Sequence, residues 1–352
     1  MSVIKKSRGN FSMKRKIVGL LVLALILLSA CGKEQKDDAH NHDHNHESGI
    51  HLRVGLSAHE GEPMYAAVEQ FAKEVHTKSD GAIEVTLYGS NQLGSDEELL
   101  ASVAEKGDKV DIVISDITNF TAYDAKIDIS KMPFAFASYQ EAREFMASDI
   151  QKEAEYSLQK HNMQVLTHYT GGFHQLTLKG KMLNGTKDLQ GEFIATSSRG
   201  IGDVAMKALG AMTEKYDINQ LQQVLQQGHC KGYEGTLDTI YNNRIYQGQE
   251  YLVVTNHCFD SYLFVIADSV WSALGDEYQK IIKDAANTSS SVEYQLMEQQ
   301  EKEMIEKIKS AGIRIQYPNQ KIFWEKVEPV VKNYSSNYGG LTDRLINWKS
   351  ER

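Results

Sequence analysis

Residues 110–115, VDIVIS, are apolar almost without interruption, and a strand of that kind must be covered on both faces, as the strands of a parallel sheet are. It closes an alternating series. LRVGLS (52–57) reads as a strand, and MYAAVEQFAKEVHTK (64–78) as a helix with Val68, Phe71, Ala72 and Val75 at i, i+3, i+4 and i+7. IEVTLY (83–88) is again a strand, and DEELLASVAEK (96–106) a helix that turns Leu99, Leu100 and Val103 inward. Such alternation predicts an α/β fold. After Gln164 the order resumes with QVLTHY, HQLTLK and EFIATSS as strands, helices over 202–209 and INQLQQVLQQG, and strands EYLVVTN and YLFVIAD. A helical run over 276–311 stops at Gly312, a residue suited to the left-handed conformation that ends helices. Two similar halves with no Pro/Ser-rich linker between them, plus one long helix, predict two lobes joined by crossing strands.

The first 30 residues read differently. Lys5, Lys6, Arg8, Lys14, Arg15 and Lys16 lead into an apolar block at 17–28, too short to cross a hydrocarbon core of ~30 Å, and small Ser29 and Ala30 end it. This is the pattern of a secretory signal. The sequence LLSAC resembles the lipobox of bacterial lipoproteins, which implies that Cys31 is acylated and becomes the new N-terminus. Residues 31–51 are then a polar tether without hydrophobic periodicity, expected to be disordered. Within it His40, His42, His44 and His46 alternate, and His-rich tracts bind zinc, nickel or copper weakly. A metal receptor or scavenger using this tract is the alternative function; a plain tether needs no metal.

The chain carries a formal charge of −9, and loss of a basic signal segment that holds no acids makes the remainder more acidic still. That argues against nucleic acid or an anionic membrane surface as partner. Cys230 and Cys258 are left to each other, and outside the cytoplasm such a pair is either a disulfide or two isolated buried thiols. His174, His229, Cys230, His257 and Cys258 could be read as a scattered metal set. Against it, neighbours in a strand such as His229 and Cys230 point to opposite faces. Neither half shows a phosphate-cradling glycine loop or a nucleophile elbow, and no nucleophile–base pair or paired carboxylates stand at a recognisable spacing, so no enzyme and no cofactor are expected.

Several segments in order carry a resemblance: FAKEVHTKSDGAIEVTLYGSNQLGSDEELL, MPFAF, GGFHQLTLKGK, KDLQGEFIAT, KALGA, LQQGHCKGYEG, YLVVTNH and VWSALGDEYQKIIKDAAN. Together, over about residues 52–329, they resemble the substrate-binding proteins of tripartite ATP-independent periplasmic (TRAP) transporters. The resemblance implies a two-lobed periplasmic-binding-protein-like α/β fold whose lobes close on one small molecule, with a long helix lying across both. Residues 52–171 with 260–299 would form one lobe, and 172–259 with 300–352 the other. It also implies an extracytoplasmic monomer that hands its solute to small and large membrane subunits and does no chemistry on it.

Three positions depart from that family's pattern. The family grips a ligand carboxylate with an arginine at the end of a strand, where this chain has Ala195. A second arginine is replaced by His174, and an aspartate by Lys231. Arg199 could restore the missing charge from the loop that follows, or be an exposed loop cation. Glu234 is expected to bond at the hinge rather than act as an acid, and Asn256 belongs to the expected ligand set. Phe173, Gln175, Tyr233 and Tyr262 could line a cleft for a small polar or zwitterionic solute, or belong to the core.

Overall fold

The structure, a computed structural model, describes residues 49–105, 109–196, 200–333 and 336–352, apart from the side chain of Ile201. The signal segment, Cys31, the four tether histidines and Arg199 lie outside the described residues. Ten strands form one curled sheet: β1 (Ile50–Leu56), β2 (Ile83–Tyr88), β3 (Ile112–Asp116), β4 (Met163–Leu178), β5 (Phe193–Thr196), β6 (Met212–Lys215), β7 (Gly232–Thr236), β8 (Tyr251–Val253), β9 (Phe259–Ala267) and β10 (Arg314–Gln316). Their order is β2-β1-β3-β9-β4-β7-β5-β6, with β8 on β4 and β10 on β8.

Each end of that order is parallel, β2-β1-β3 and β7-β5-β6, while β9 runs antiparallel to β3 and β4, and β4 antiparallel to β7. The alternation therefore builds two parallel βα halves, and the long antiparallel pair β4/β9 carries the chain between them. The first helix, Pro63–Lys78, begins with proline, whose missing N–H is no loss there, and buries Met64, Ala67, Val68, Phe71 and Val75 against the sheet. Phe71 meets Phe264 of β9 edge to face at 5.0 Å. Helix Asp96–Ala104 starts on a reciprocal capping box between Ser95 and Glu98.

QVLTHY and HQLTLK prove to be one 16-residue strand, β4. The two were expected as separate strands, yet the chain runs on through the intervening GG by slipping register against β9 between Thr170 and Gly172. The slip leaves backbone N–H groups off the ladder, and the 35-residue helix Asp276–Ser310 supplies their acceptors. Thr170 N–H donates to Glu293 Oε2 (3.1 Å) and Phe173 N–H to Glu301 Oε1 (3.2 Å), while Tyr169 Oη–H donates to Ser289 Oγ (2.7 Å). Gly172 is required at the slip, since its φ is +89° and a Cβ would lie 2.5 Å from Glu301 Oε1.

Strand β7, GYEGT, was not expected, because two glycines in five residues lower strand propensity. It forms because β4 and β5 pair with it on both sides, so closely that a Cβ on Gly232 would come 1.9 Å from the Thr177 carbonyl oxygen. Strands β6 and β10 were likewise unexpected, and EYLVVTN contributes only three residues, as β8.

The cysteine pair resolves against a disulfide. Both thiols are free and buried: Cys230 packs with Leu221, Leu225 and Ile240, and Cys258 sits in a separate cluster with Phe259 and Phe136.

Candidate functional site

The C-terminal ends of the two parallel halves face a cleft of about 480 Å³, the place where open α/β sheets hold ligands. Its wall is drawn from both halves: the start of the first helix (Glu62, Pro63, Met64), β4 (Thr170, Gly171, His174), β7 and the turn after it (Tyr233, Gly235, Thr236, Asp238, Thr239), β9 (Asp260, Tyr262), and Met297 and Gln300 of the long helix. A larger hollow of about 630 Å³ is lined by residues 143–168 and 283–294 alone. That hollow draws nothing from the second parallel half, so closure of the halves could not trap a molecule there.

Beneath the cleft floor runs a chain of buried and half-buried ionised groups. Lys131 Nζ donates to Asp116 Oδ1 (3.1 Å) and Oδ2 (2.9 Å) and pairs with Asp260 Oδ1 (3.0 Å). Asp260 Oδ2 accepts from His174 Nε2 (3.1 Å), and His174 Nδ1 donates to Glu234 Oε2 (3.0 Å). The same Glu234 oxygen faces His257 Nε2 at 3.2 Å, and Thr196 Oγ1 donates to Glu234 Oε1. Burial alone would lower the His174 ring, but Asp260 and Glu234 outweigh it and raise it to about 10. Burial would likewise raise the two carboxyls. Lys131 and His174 hold Asp260, and His174 and His257 hold Glu234, well below the usual carboxylate range. His257 goes the other way: burial keeps its ring low and neutral, with Nδ1 bonded to Thr255 Oγ1 at 2.7 Å. The floor is thus fixed and largely self-neutralised.

Of the residues the sequence singles out, His174, Tyr233 and Tyr262 line the cleft, and Glu234 lies directly under His174. Ala195 is fully buried in the cluster that holds Leu221 and Tyr233; it pairs with Tyr233 across β5 and β7 but does not itself line the cleft. Lys231 stands exposed before the start of β7, at the end remote from the cleft. Asn256 is clasped by Gln175, accepting from its Nε2 at 2.7 Å and donating to Ala137 O at 3.0 Å, in a left-handed turn with φ +46°. Phe173 is core, edge to face with Tyr139 at 5.2 Å. Lys131, Asp116, Asp260, Glu62 and Asp238 carry the charge of the site and were not singled out. Lys131 stands one residue before the MPFAF segment, and a lysine against an apolar run was the available signal.

Ligand atoms of His174, Glu234 and His257 lie within 4.8 Å of one another, as do those of Glu214, His229 and Cys230. In the first set both ring nitrogens of His174 face carboxylates, Nδ1 Glu234 and Nε2 Asp260, and His257 Nδ1 bonds Thr255 Oγ1, so the cluster is satisfied by its own partners. The second set corrects the expectation for His229 and Cys230. They occupy the turn between helix Ile218–Gln227 and β7, not a strand, and so need not point apart; His229 Nε2 lies 2.8 Å from Glu214 Oε2.

A cleft walled by two α/β halves over a fixed ionic floor defines a binding protein that encloses a small molecule. Residues 54–337, more than half of the chain, match the model of the bacterial extracellular solute-binding proteins, family 7, and the chain belongs to that family. It is 25% identical over 325 residues to the sialic acid-binding periplasmic protein SiaP of Vibrio cholerae, covering 92% of this chain and 97% of that one. It is 26% identical to the C4-dicarboxylate-binding protein DctB of Bacillus subtilis, over 80% of this chain and 81% of the other. A TRAP periplasmic solute-binding protein from Ochrobactrum anthropi shares the fold with a TM-score of 0.81 at 23% identity, over 86% of this chain and 95% of that structure. One from Sulfitobacter, with bound β-D-galacturonate, superposes with a TM-score of 0.69 at 19% identity, over 86% and 100%. The fold is thus that of the two-lobed TRAP binding proteins, and the chain is an extracytoplasmic solute-binding protein of that transport class. The metal-receptor alternative finds no support among these relatives.

Proposed function

We propose that this protein captures a small polar solute between residues 52–171 with 260–299 on one side and 172–259 with 300–352 on the other, and delivers it to small and large TRAP membrane subunits. The observation that carries the reading is the cleft itself, walled from both halves and floored by side chains that their partners hold in place. A ligand that touches both walls binds the shut state better than the open one, and that difference is all closure requires. The ionised groups are locked in pairs with one another, which fits a receptor that orients its cargo rather than a catalyst that reacts with it. Cys31, acylated, would hold the chain to the membrane as a monomer, with residues 31–51 as tether. Relatives named for sialic acid and C4-dicarboxylates and a fold neighbour holding galacturonate set the scale of the cargo as a single small polar molecule. Native mass spectrometry of protein purified without refolding tests the reading. It should show one organic molecule per chain, released by mild activation. Protein that is uniformly empty, and stays empty after exposure to extract of its host's growth medium, would contradict it.

A further inference from the structure

With no disulfide formed, Cys230 is a reduced, buried thiol in a chain that works outside the cytoplasm, where free thiols readily pair. Its surroundings differ from those of an ordinary core cysteine. On one side it packs with Leu221, Leu225 and Ile240, and on the other stand two exposed polar groups, the Glu214 carboxylate and the His229 imidazole. One ligand atom of each of the three lies within 4.8 Å of the other two, and His229 Nε2 is 2.8 Å from Glu214 Oε2.

The three side chains are held by separate pieces of structure. Glu214 lies in β6, the last strand of the sheet order, and is paired with Ala195 of β5. His229 and Cys230 occupy the turn before β7, which Gly228 opens as a left-handed helix cap at φ +77° and which Lys231 closes by donating its N–H to the Phe193 carbonyl oxygen at 2.8 Å. The His229 ring is stacked on Phe193, with centroids 5.3 Å apart and planes 29° from parallel. That contact gives the exposed Phe193 ring a role, as the platform that orients the imidazole. Just past β6, the Tyr216 hydroxyl lies against both Glu214 and Cys230.

We propose that Glu214, His229 and Cys230 bind a zinc ion, which clips the edge strand β6 to the turn before β7. Thiolate, imidazole and carboxylate together are a donor set that borderline-soft zinc accepts, whereas calcium and magnesium take oxygen ligands. Donor atoms of a tetrahedral zinc site stand roughly 3.5 Å apart on bonds of about 2.0–2.3 Å, so inward shifts of about 1 Å by the two exposed side chains complete the set, with water at the fourth corner. Binding releases the thiol proton to solvent, and the imidazole keeps its proton on Nδ1 so that Nε2 faces the ion. The thiolate and carboxylate charges then balance the ion. No residue of the trio lines the cleft, so the ion belongs to the framework of the second parallel half and is not the cargo. The trio also differs from the enclosed His174 set in that Glu214 and His229 are open to solvent, which gives an ion a way in.

Cobalt(II) absorption spectroscopy of the reduced mature chain tests the proposal. A cobalt–thiolate bond gives a near-ultraviolet charge-transfer band that imidazoles alone do not, so weak binding by His40, His42, His44 and His46 does not register. In a Cys31→Ala background Cys230 and Cys258 are the only thiols. One equivalent of cobalt should bring up the band together with the strong visible absorption of a tetrahedral ion, and zinc chloride should discharge both. Cys230→Ser should remove the band and Cys258→Ser should leave it. Glu214→Gln and His229→Gln should each weaken cobalt binding at least roughly tenfold, the scale on which even the outer partners of metal ligands act. Should Cys230→Ser fail to fold by circular dichroism, these two exposed variants decide. No band at saturating cobalt, a band that survives Cys230→Ser, or an affinity that neither exposed variant lowers would overturn the proposal.

Discussion

Removing the Lys131 ammonium would leave the half-buried Asp116 and Asp260 carboxylates with only His174 to offset them. Breaking one partner out of a buried ionic network costs about 3–5 kcal/mol, so Lys131→Met should lower the unfolding free energy in urea by about that much. A loss under about 1 kcal/mol would mean that the network is wetter than the geometry implies. His174 gives a pH dependence with a definite sign. Its folded value is raised from 6.5 to about 10, so its contribution to stability is complete below pH 6.5 and is lost as the pH rises through 10. Relative to His174→Gln, the wild-type midpoint should fall between pH 7 and 10.5; a constant difference would contradict the assignment. His174 could be picked from the sequence as a departure from the family pattern. Its partners could not: Glu234 and Asp260 lie 60 and 86 residues away, and only the pairing of β4 with β7 and β9 brings them together.

The elements near the cleft were legible wherever period and length agreed. IEVTLY occupies its expected residues, and the helix read over 64–78 differs by one residue at its start. Legibility failed where local chemistry and tertiary pairing disagree, as in β7, where Gly232 serves close approach to β4 and Gly235 leaves room for the Tyr233 ring, neither making a turn. The GG in β4 failed in the same way: glycine marks the register slip and the seat of the long helix. Gly172→Ala should cost about 1–3 kcal/mol, because φ +89° strains an L side chain and its Cβ meets Glu301. A neutral effect by chemical denaturation would rule out that contact. Glu301 itself is raised to about 7, chiefly by burial. A carboxyl whose folded value lies above its unfolded one contributes stability that is present at low pH and lost as pH rises through about 7. Glu301→Gln should therefore flatten the fall in stability between about pH 4.5 and 7, and an unchanged slope would contradict the placement of Glu301 against β4.

For the whole molecule, the two-lobed class was readable because it rests on repetition: two βα alternations and one long helix leave few ways to arrange a sheet. The ionic floor of the cleft was not readable, since Lys131, Asp116, Asp260 and Glu234 come together only through the pairing of β3, β4, β7 and β9. Anchoring belongs to this scale as well. Cys31→Ala should release the protein from membranes with its lobes still folded, as fractionation and circular dichroism can establish; a variant that stays membrane-bound would contradict the lipid-anchor reading. The central claim, that the two halves close on a solute, is tested most directly by electron–electron distance measurement between nitroxides placed at Glu84→Cys on β2 and Lys215→Cys on β6, the two edge strands of the sheet order. Adding the solute identified by mass spectrometry should shift the distance distribution from a longer to a shorter population in proportion to occupancy. A distribution that does not move while the solute is bound would contradict the account.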